Sequence, residues 1–168
     1  MAPSYFFIDI QKSQMPEFRQ IMETDKDVTS FDEAPMIRGI ISRINGMPAK
    51  EYSGDHWVLR GDRGLTYSSK PLERSKITEG VWWEPGYEGP AQISFAEEEG
   101  REMGLSLGDK LTVNIMGRDI NATITSFRDV DFSTAGIGFI MSMNPHALQN
   151  APHSFISTVY ADPKAEAE

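Results

Sequence analysis

The chain has 168 residues and no cysteine, and it carries 16 basic against 25 acidic residues, a formal net charge of -9. That length suits one domain with its own apolar core. The missing thiols exclude disulfide staples, thiol catalysis, Cys-ligated zinc and iron–sulfur clusters. The acidic excess is spread along the chain and disfavours nucleic acid and anionic membrane surfaces as partners, while 39% apolar and 10% aromatic residues are the composition of a folded domain.

No run reaches the roughly 18 apolar residues that span a bilayer, and Met1-Ala2-Pro3-Ser4 lacks the basic and apolar regions of a signal peptide. Residues 5–10 alternate, with Phe6, Ile8 and Ile10 on one face, which predicts a strand. A helix follows, with Ser13 as N-cap, Pro16 in the first turn and an apolar stripe of Met15, Phe18 and Met22; it is expected to end at 24–26. Pro35 opens a long extended stretch in which Met36, Ile40 and Ile44 share a face with Arg38 while Ile37 and Ile41 lie opposite, and Asn45-Gly46 reverses the chain.

Glycine, proline and charge interrupt residues 47–91, where 57–60, 65–67 and 77–83 read as short strands and 84–90 as a turn-rich loop. Ser94 and Glu97 have the spacing of a capping box, with Glu97-Glu98-Glu99 placing negative charge on the helix N-terminus. That helix is expected to run to about Met103, with Gly104 as a left-handed stop and Leu105 folding back. Gly108-Asp109 then launches a hairpin: Leu111, Val113 and Ile115 face one way, Thr112 and Asn114 the other, residues 116–119 turn, and Ile120, Ala122 and Ile124 return. Residues 137–143 read as a buried strand, Asn144-Pro145 as the cap of a short helix through Leu148, 155–160 as a last strand and 163–168 as a frayed tail. The mixture predicts an α+β domain rather than a regular βαβ series.

Motifs that carry chemistry are weak. Gly136-Ile137-Gly138 has Met141 where a dinucleotide fingerprint needs its third glycine, and no phosphate-binding P-loop is present. His56, His146 and His153 lack the spacing of a metal site, and no G-x-S-x-G elbow surrounds any serine. No cofactor is therefore expected. The aromatic residues Trp82, Trp83 and Tyr87 in the Gly/Pro-rich stretch have two readings: they present a partly wet apolar surface to a lipid or partner, or they pin an irregular segment to the core.

Several segments, taken in order, resemble the large extracytoplasmic domain of FtsX/MacB-type ABC-transporter permeases, on their YbbP-like branch. They are Tyr5-Phe6-Phe7-Ile8-Asp9-Ile10-Gln11, Pro35-Met36-Ile37-Arg38-Gly39 with Ile44-Asn45-Gly46, and Leu65-Thr66-Tyr67. Glu79-Gly80-Val81-Trp82-Trp83, Met103-Gly104-Leu105-Ser106-Leu107-Gly108-Asp109 and Thr125-Ser126-Phe127-Arg128-Asp129-Val130-Asp131-Phe132 complete the set.

The resemblance implies a fold like the MacB periplasmic core: an α/β lobe with a mixed sheet made by both chain ends (4–91 with 137–162), and a smaller β-rich lobe of one helix and a hairpin (92–136). It also implies a non-catalytic domain on the periplasmic side of the bacterial inner membrane. Membrane helices on both sides, expected in the reading frame before Ala2 and after Pro163, would join it to a cytoplasmic ATP-binding subunit. Cargo would be hydrophobic or lipid-like, and a periplasmic esterase is an implied partner. Arg38, Arg60 and Arg128 fall in or near the matching segments and either pair with acidic neighbours or face a partner or anionic head group. Two alternatives compete: a stand-alone hydrolase using a serine, His146 or His153 and a carboxylate, and a plain lipid-binding module using Trp82, Trp83 and Tyr87.

Overall fold

The computed structural model describes residues 5–71, 75–130, 139–151 and 154–161. In chain order they form β1 (Tyr5–Ile10), α1 (Met15–Thr24), β2 (Val28–Ile44), β3 (Met47–Pro48), α2 (Ala49–Ser53), β4 (Arg63–Tyr67), β5 (Lys76–Gly80) and β6 (Gln92–Ala96). There follow α3 (Glu97–Glu102), β7 (Lys110–Ile115), β8 (Arg118–Asp129), β9 (Met141–Met143), α4 (Pro145–Leu148) and β10 (Ser154–Ala161). The protein is α+β, as the sequence predicts.

Two compact units divide the chain. The first holds the described residues up to Met36 and from Ser154 on; the second holds Ile37–Val130 and Phe139–Ala151. This line differs from the expected lobes, because the hairpin β7–β8 pairs with β2, β5 and β6, so helix and hairpin share a unit with residues 37–91.

In the first unit β10 lies between β1 and β2, antiparallel to both. The apolar stripe of α1 forms as its spacing predicts: Met15 is buried, and half-buried Phe18 meets Phe31 and Phe7 edge-on at 6.4 and 5.3 Å. Arg19 Nε donates to both carboxylate oxygens of Glu33 on β2, at 2.8 and 2.9 Å. Two expectations need correction. Asp9 takes φ 55 and the β1 register slips between Phe7 and Ile10, which leaves Ile8 60% exposed and off the face of Ile10. Ser13 sits inside a 3-10 turn, Lys12–Gln14, and does not cap; the Gln11 N–H donates instead to Gln14 Oε1 at 2.9 Å.

In the second unit the inner face of β2 carries Ile37 and Ile41. Ile41 opposes Val113 and Arg43 opposes Thr112, so Ser42 is an extra residue. This bulge moves Ile44 to the buried side with 0% exposure, while Ile40 remains exposed. Strict alternation had put those two isoleucines together. Asn45 and Gly46, at φ 52 and 81, make the expected tight turn into β3.

The centre of this unit runs β4, β9, β6, β8, with β4 parallel to β9 and β6 parallel to β8. Leu65, Met141, Met143, Ile93, Phe95 and Ile124 are fully buried there. Leu111, Val113 and Ile115 join them from β7, as their alternation requires. Ser94 is no cap: it lies inside β6, where ladders on both sides claim it, and α3 starts at Glu97 after Ala96. The far end of α3 closes as expected, Leu105 N–H donating to Gly100 O at 2.8 Å and Gly104 N–H to Arg101 O at 3.1 Å.

Residues 57–60 are not a strand but hold a 3-10 turn, Trp57–Leu59, started by Val58 N–H donating to His56 Nδ1 at 3.2 Å. β5 stops at Gly80, short of the expected 83, and α2 was not foreseen. Of the described residues 139–143, Met141–Met143 are strand; residues 137 and 138, the fingerprint Gly136-Ile137-Gly138 and the 163–168 tail lie outside the described residues.

Gly100 sets how closely α3 approaches the sheet, since a Cβ there would lie 2.6 Å from the Phe127 ring. Helix propensity alone makes Gly→Ala stabilising by about 1 kcal/mol. Overpacking costs about 1–3 kcal/mol. We expect Gly100→Ala to lower the urea midpoint, and a raised midpoint would show that the α3–β8 contact can yield.

Candidate functional site

The aromatic loop begins where β8 bulges. Ile93 pairs with Ile124 but Ser94 with Ser126, leaving Thr125 as the extra residue. Its carbonyl turns toward β5, accepts the Val81 N–H at 3.1 Å and lies only 2.2 Å from where a Cβ on Gly80 (φ 81) would sit. Glycine is required there.

Beyond Gly80 the chain leaves the sheet and is tied back by its rings. Trp82 Nε1 donates to Ser69 O at 3.0 Å, Trp83 Nε1 to Ser68 O at 2.8 Å and Tyr87 Oη to Pro90 O at 2.7 Å. The two indoles lie 3.9 Å apart at 33°. Trp83, 5% exposed, pins the segment; Trp82 and Tyr87 are half-buried, and Val81 is 77% exposed. Trp83 and Tyr87 also line a cleft of about 220 Å³ with Glu84, Glu88, Pro145 and His146.

The three arginines do not converge, and none lines that cleft. Arg38 projects from β2 into solvent and makes no ion pair among the described residues. Arg60 pairs with Asp55 at 3.3 Å, both exposed, an arrangement worth little to stability. Arg128 is 1% exposed on β8; Nη1 donates to Ser94 O at 2.6 Å and Nη2 to Phe139 O. Its guanidinium is spent on carbonyls inside the unit.

Sequence reading missed a polar row. Thr66 opposes Ser142, Ser142 opposes Ser94, and Ser94 opposes Ser126, so four hydroxyl residues line up across β4, β9, β6 and β8, all buried. Residues in one register line project to one face. The signal was present as small hydroxyls between apolar neighbours in Leu65-Thr66-Tyr67, Ile93-Ser94-Phe95 and Met141-Ser142-Met143. Ser94 Oγ, Ser126 Oγ, Arg128 Nε and Glu99 Oε2 find no partner there among the described residues.

Burial sets the electrostatics of this interior. It lowers the Arg128 guanidinium to about 9, with Glu99 pulling the other way, so the group stays cationic at neutral pH. Burial raises the Glu99 carboxyl above its ordinary value; Glu98 and Glu102 raise it further, while its own backbone hydrogen bond and His56 oppose.

The hydrolase alternative finds residue types but not a relay. Ser69, His146, Glu84 and Glu88 line the same cleft, yet no hydrogen bond joins them. His56 Nε2 instead meets Glu102 Oε1 at 2.7 Å, and His153 lies outside the described residues. No group of three His, Asp or Glu among the described residues could hold a metal ion.

Over nearly its whole length the chain is similar to part of an ABC transporter permease, as the ordered segments implied. The relative is the uncharacterized ABC transporter permease YbbP of Escherichia coli strain K12, 24% identical over 159 residues. The match covers 94% of this chain but spans only 19% of that protein. No family model matches the chain. A crystal structure of a domain described as part of a permease protein from Porphyromonas gingivalis overlays 86% of this chain and 66% of its own, at 15% identity and a TM-score of 0.41, too loosely to argue from.

Two substitutions test the buried polar layer. Arg128→Met orphans two carbonyls, at about 1–3 kcal/mol each, and should lower the urea midpoint far more than Arg38→Met. A carboxyl whose folded pKa is raised binds its proton more tightly when folded, so Glu99 costs stability above the ordinary 4.5 and increasingly so as pH rises through the folded value. Glu99→Gln should therefore stabilise the chain at pH 7, with the gain vanishing as the pH falls toward 4.5 in chemical denaturation.

Proposed function

We propose that this chain is a non-catalytic, periplasmic-side domain of an FtsX/MacB-type ABC transporter permease, and that it contacts hydrophobic or lipid-like cargo, or a periplasmic partner, during the ATP-driven cycle. The similarity of nearly the whole chain to one segment of a permease carries this reading. No helix among the described residues is long and apolar enough to cross a membrane. On this reading the membrane is crossed by other parts of the full protein, which couple the domain to its ATP-binding subunit. An esterase on the periplasmic side is the partner the resemblance favours.

Within the domain we assign the contact to the loop from Val81 to Pro90, together with exposed Arg38 and Arg60. The indoles of that loop are tethered to Ser68 and Ser69, so exposed Val81 and half-buried Trp82 and Tyr87 are held in place without a core of their own. Aromatic rings held this way present large apolar area at low entropic cost. Arg128, spent on internal carbonyls, takes a supporting role behind β6.

The chain contains no cysteine, so once any cysteines outside it are replaced, single-cysteine variants report unambiguously. In the intact permease with its ATP-binding subunit, Val81→Cys carrying a benzophenone label should cross-link cargo lipid or a periplasmic protein, and the yield should change with ATP. Glu51→Cys, at an exposed position of α2, serves as control. Equal, ATP-independent yields at both positions would refute the assignment of the loop.

A further inference from the structure

The cleft beside the aromatic loop has a chemistry of its own. Its walls are Trp83, Tyr87 and Pro145, and Glu84 and Glu88 bring two carboxylates to it without a lysine or arginine in the lining. The polar atoms of its rings are already committed, Trp83 Nε1 to Ser68 O and Tyr87 Oη to Pro90 O. What the rings offer a ligand is therefore π surface, most of it from half-buried Tyr87 and the rest from the exposed edge of Trp83, not a hydrogen-bond donor.

Such a site discriminates. An anion meets two carboxylates, against which the lining sets only the side chains of Ser69, His146 and Gln149 as donors. A neutral apolar group would desolvate those carboxylates without compensation. A cation with an apolar coat satisfies both features, since the carboxylates balance its charge and aromatic surface attracts it through the ring quadrupole. The cleft, at about 220 Å³, is smaller than sites that enclose a whole drug-sized ligand, and so suits a head group.

We infer that this cleft binds an organic ammonium group, as carried by a choline or ethanolamine head group or by a free amine. The assignment names the ligand class for the loop proposed above as a contact surface, and rests on that reading. Glu84 and Glu88 supply the charge, and Trp83 and Tyr87 the walls.

Choline chloride is titrated into the chain against 3,3-dimethylbutan-1-ol, its neutral isostere, at matched ionic strength, following the indole N–H resonances. Choline should give a saturable shift at Trp83, with the isostere about tenfold weaker or worse, as loss of one cation–π and charge contact implies. Glu84→Gln with Glu88→Gln should weaken choline by a similar factor. Equal binding of the isostere, or unchanged choline affinity in a folded double variant, would overturn the inference, and the isostere arm stands even if that variant misfolds.

Two further titrations separate the sources and the underlying reading. Tighter binding of dihexanoylphosphatidylcholine than of choline places the ammonium on a lipid, and equal binding places it on a free amine. A response of Trp82 to dihexanoylphosphatidylglycerol with none to choline refutes the ammonium site but preserves the loop as a contact surface. Silence toward all of these ligands overturns the ammonium site and the loop as a lipid contact.

Discussion

A guanidinium closed off from water holds the larger unit together. Arg128 reaches from β8 to the carbonyls of Ser94 on β6 and Phe139 just before β9, 34 and 11 residues away in the chain, and so ties three segments together. Burying such a charge is costly unless its donors are used. Two of its donor groups are used, and Glu99 sets a second ionisable group in the same buried interior. The row of hydroxyls from Thr66 to Ser126 forms a polar stratum in the sheet whose opposite side packs Ile93, Phe95 and Met141.

The candidate site depends on that arrangement through β8. The extra residue Thr125 turns its carbonyl to meet Gly80 and Val81, which ends β5 and releases the aromatic loop at a fixed point. The rings then anchor to backbone carbonyls at Ser68 and Ser69, just past the end of β4. The loop is thereby mounted on the sheet by its rings instead of hanging free, which is what the contact proposed for it requires.

Legibility in the sequence followed the regularity of the backbone. Period-two alternation in β7 and β8, the Asn45-Gly46 turn and the Gly104 stop were readable because each has a local cause. The bulges at Asp9, Ser42 and Thr125 were not, since one inserted residue leaves composition unchanged while it reverses which side chains face inward. Ser94 and Glu97 satisfied the capping pattern, but ladder partners on both sides of β6 outweighed a local cap. Of the site, the aromatic cluster was visible as composition. The different fates of Trp82 and Trp83, and the burial of Arg128, arise from segments distant in sequence and left no local signature.

Solvent exchange of the guanidinium protons is the most direct measurement, comparing Arg128 with exposed Arg38 by nitrogen-15 NMR of the folded chain. If Arg128 is the internal tie of the β6–β8 sheet, its protons exchange orders of magnitude more slowly than those of Arg38, and only through opening of the unit. Exchange of the two at the same rate would contradict it, by placing Arg128 in solvent and leaving the sheet without its lock.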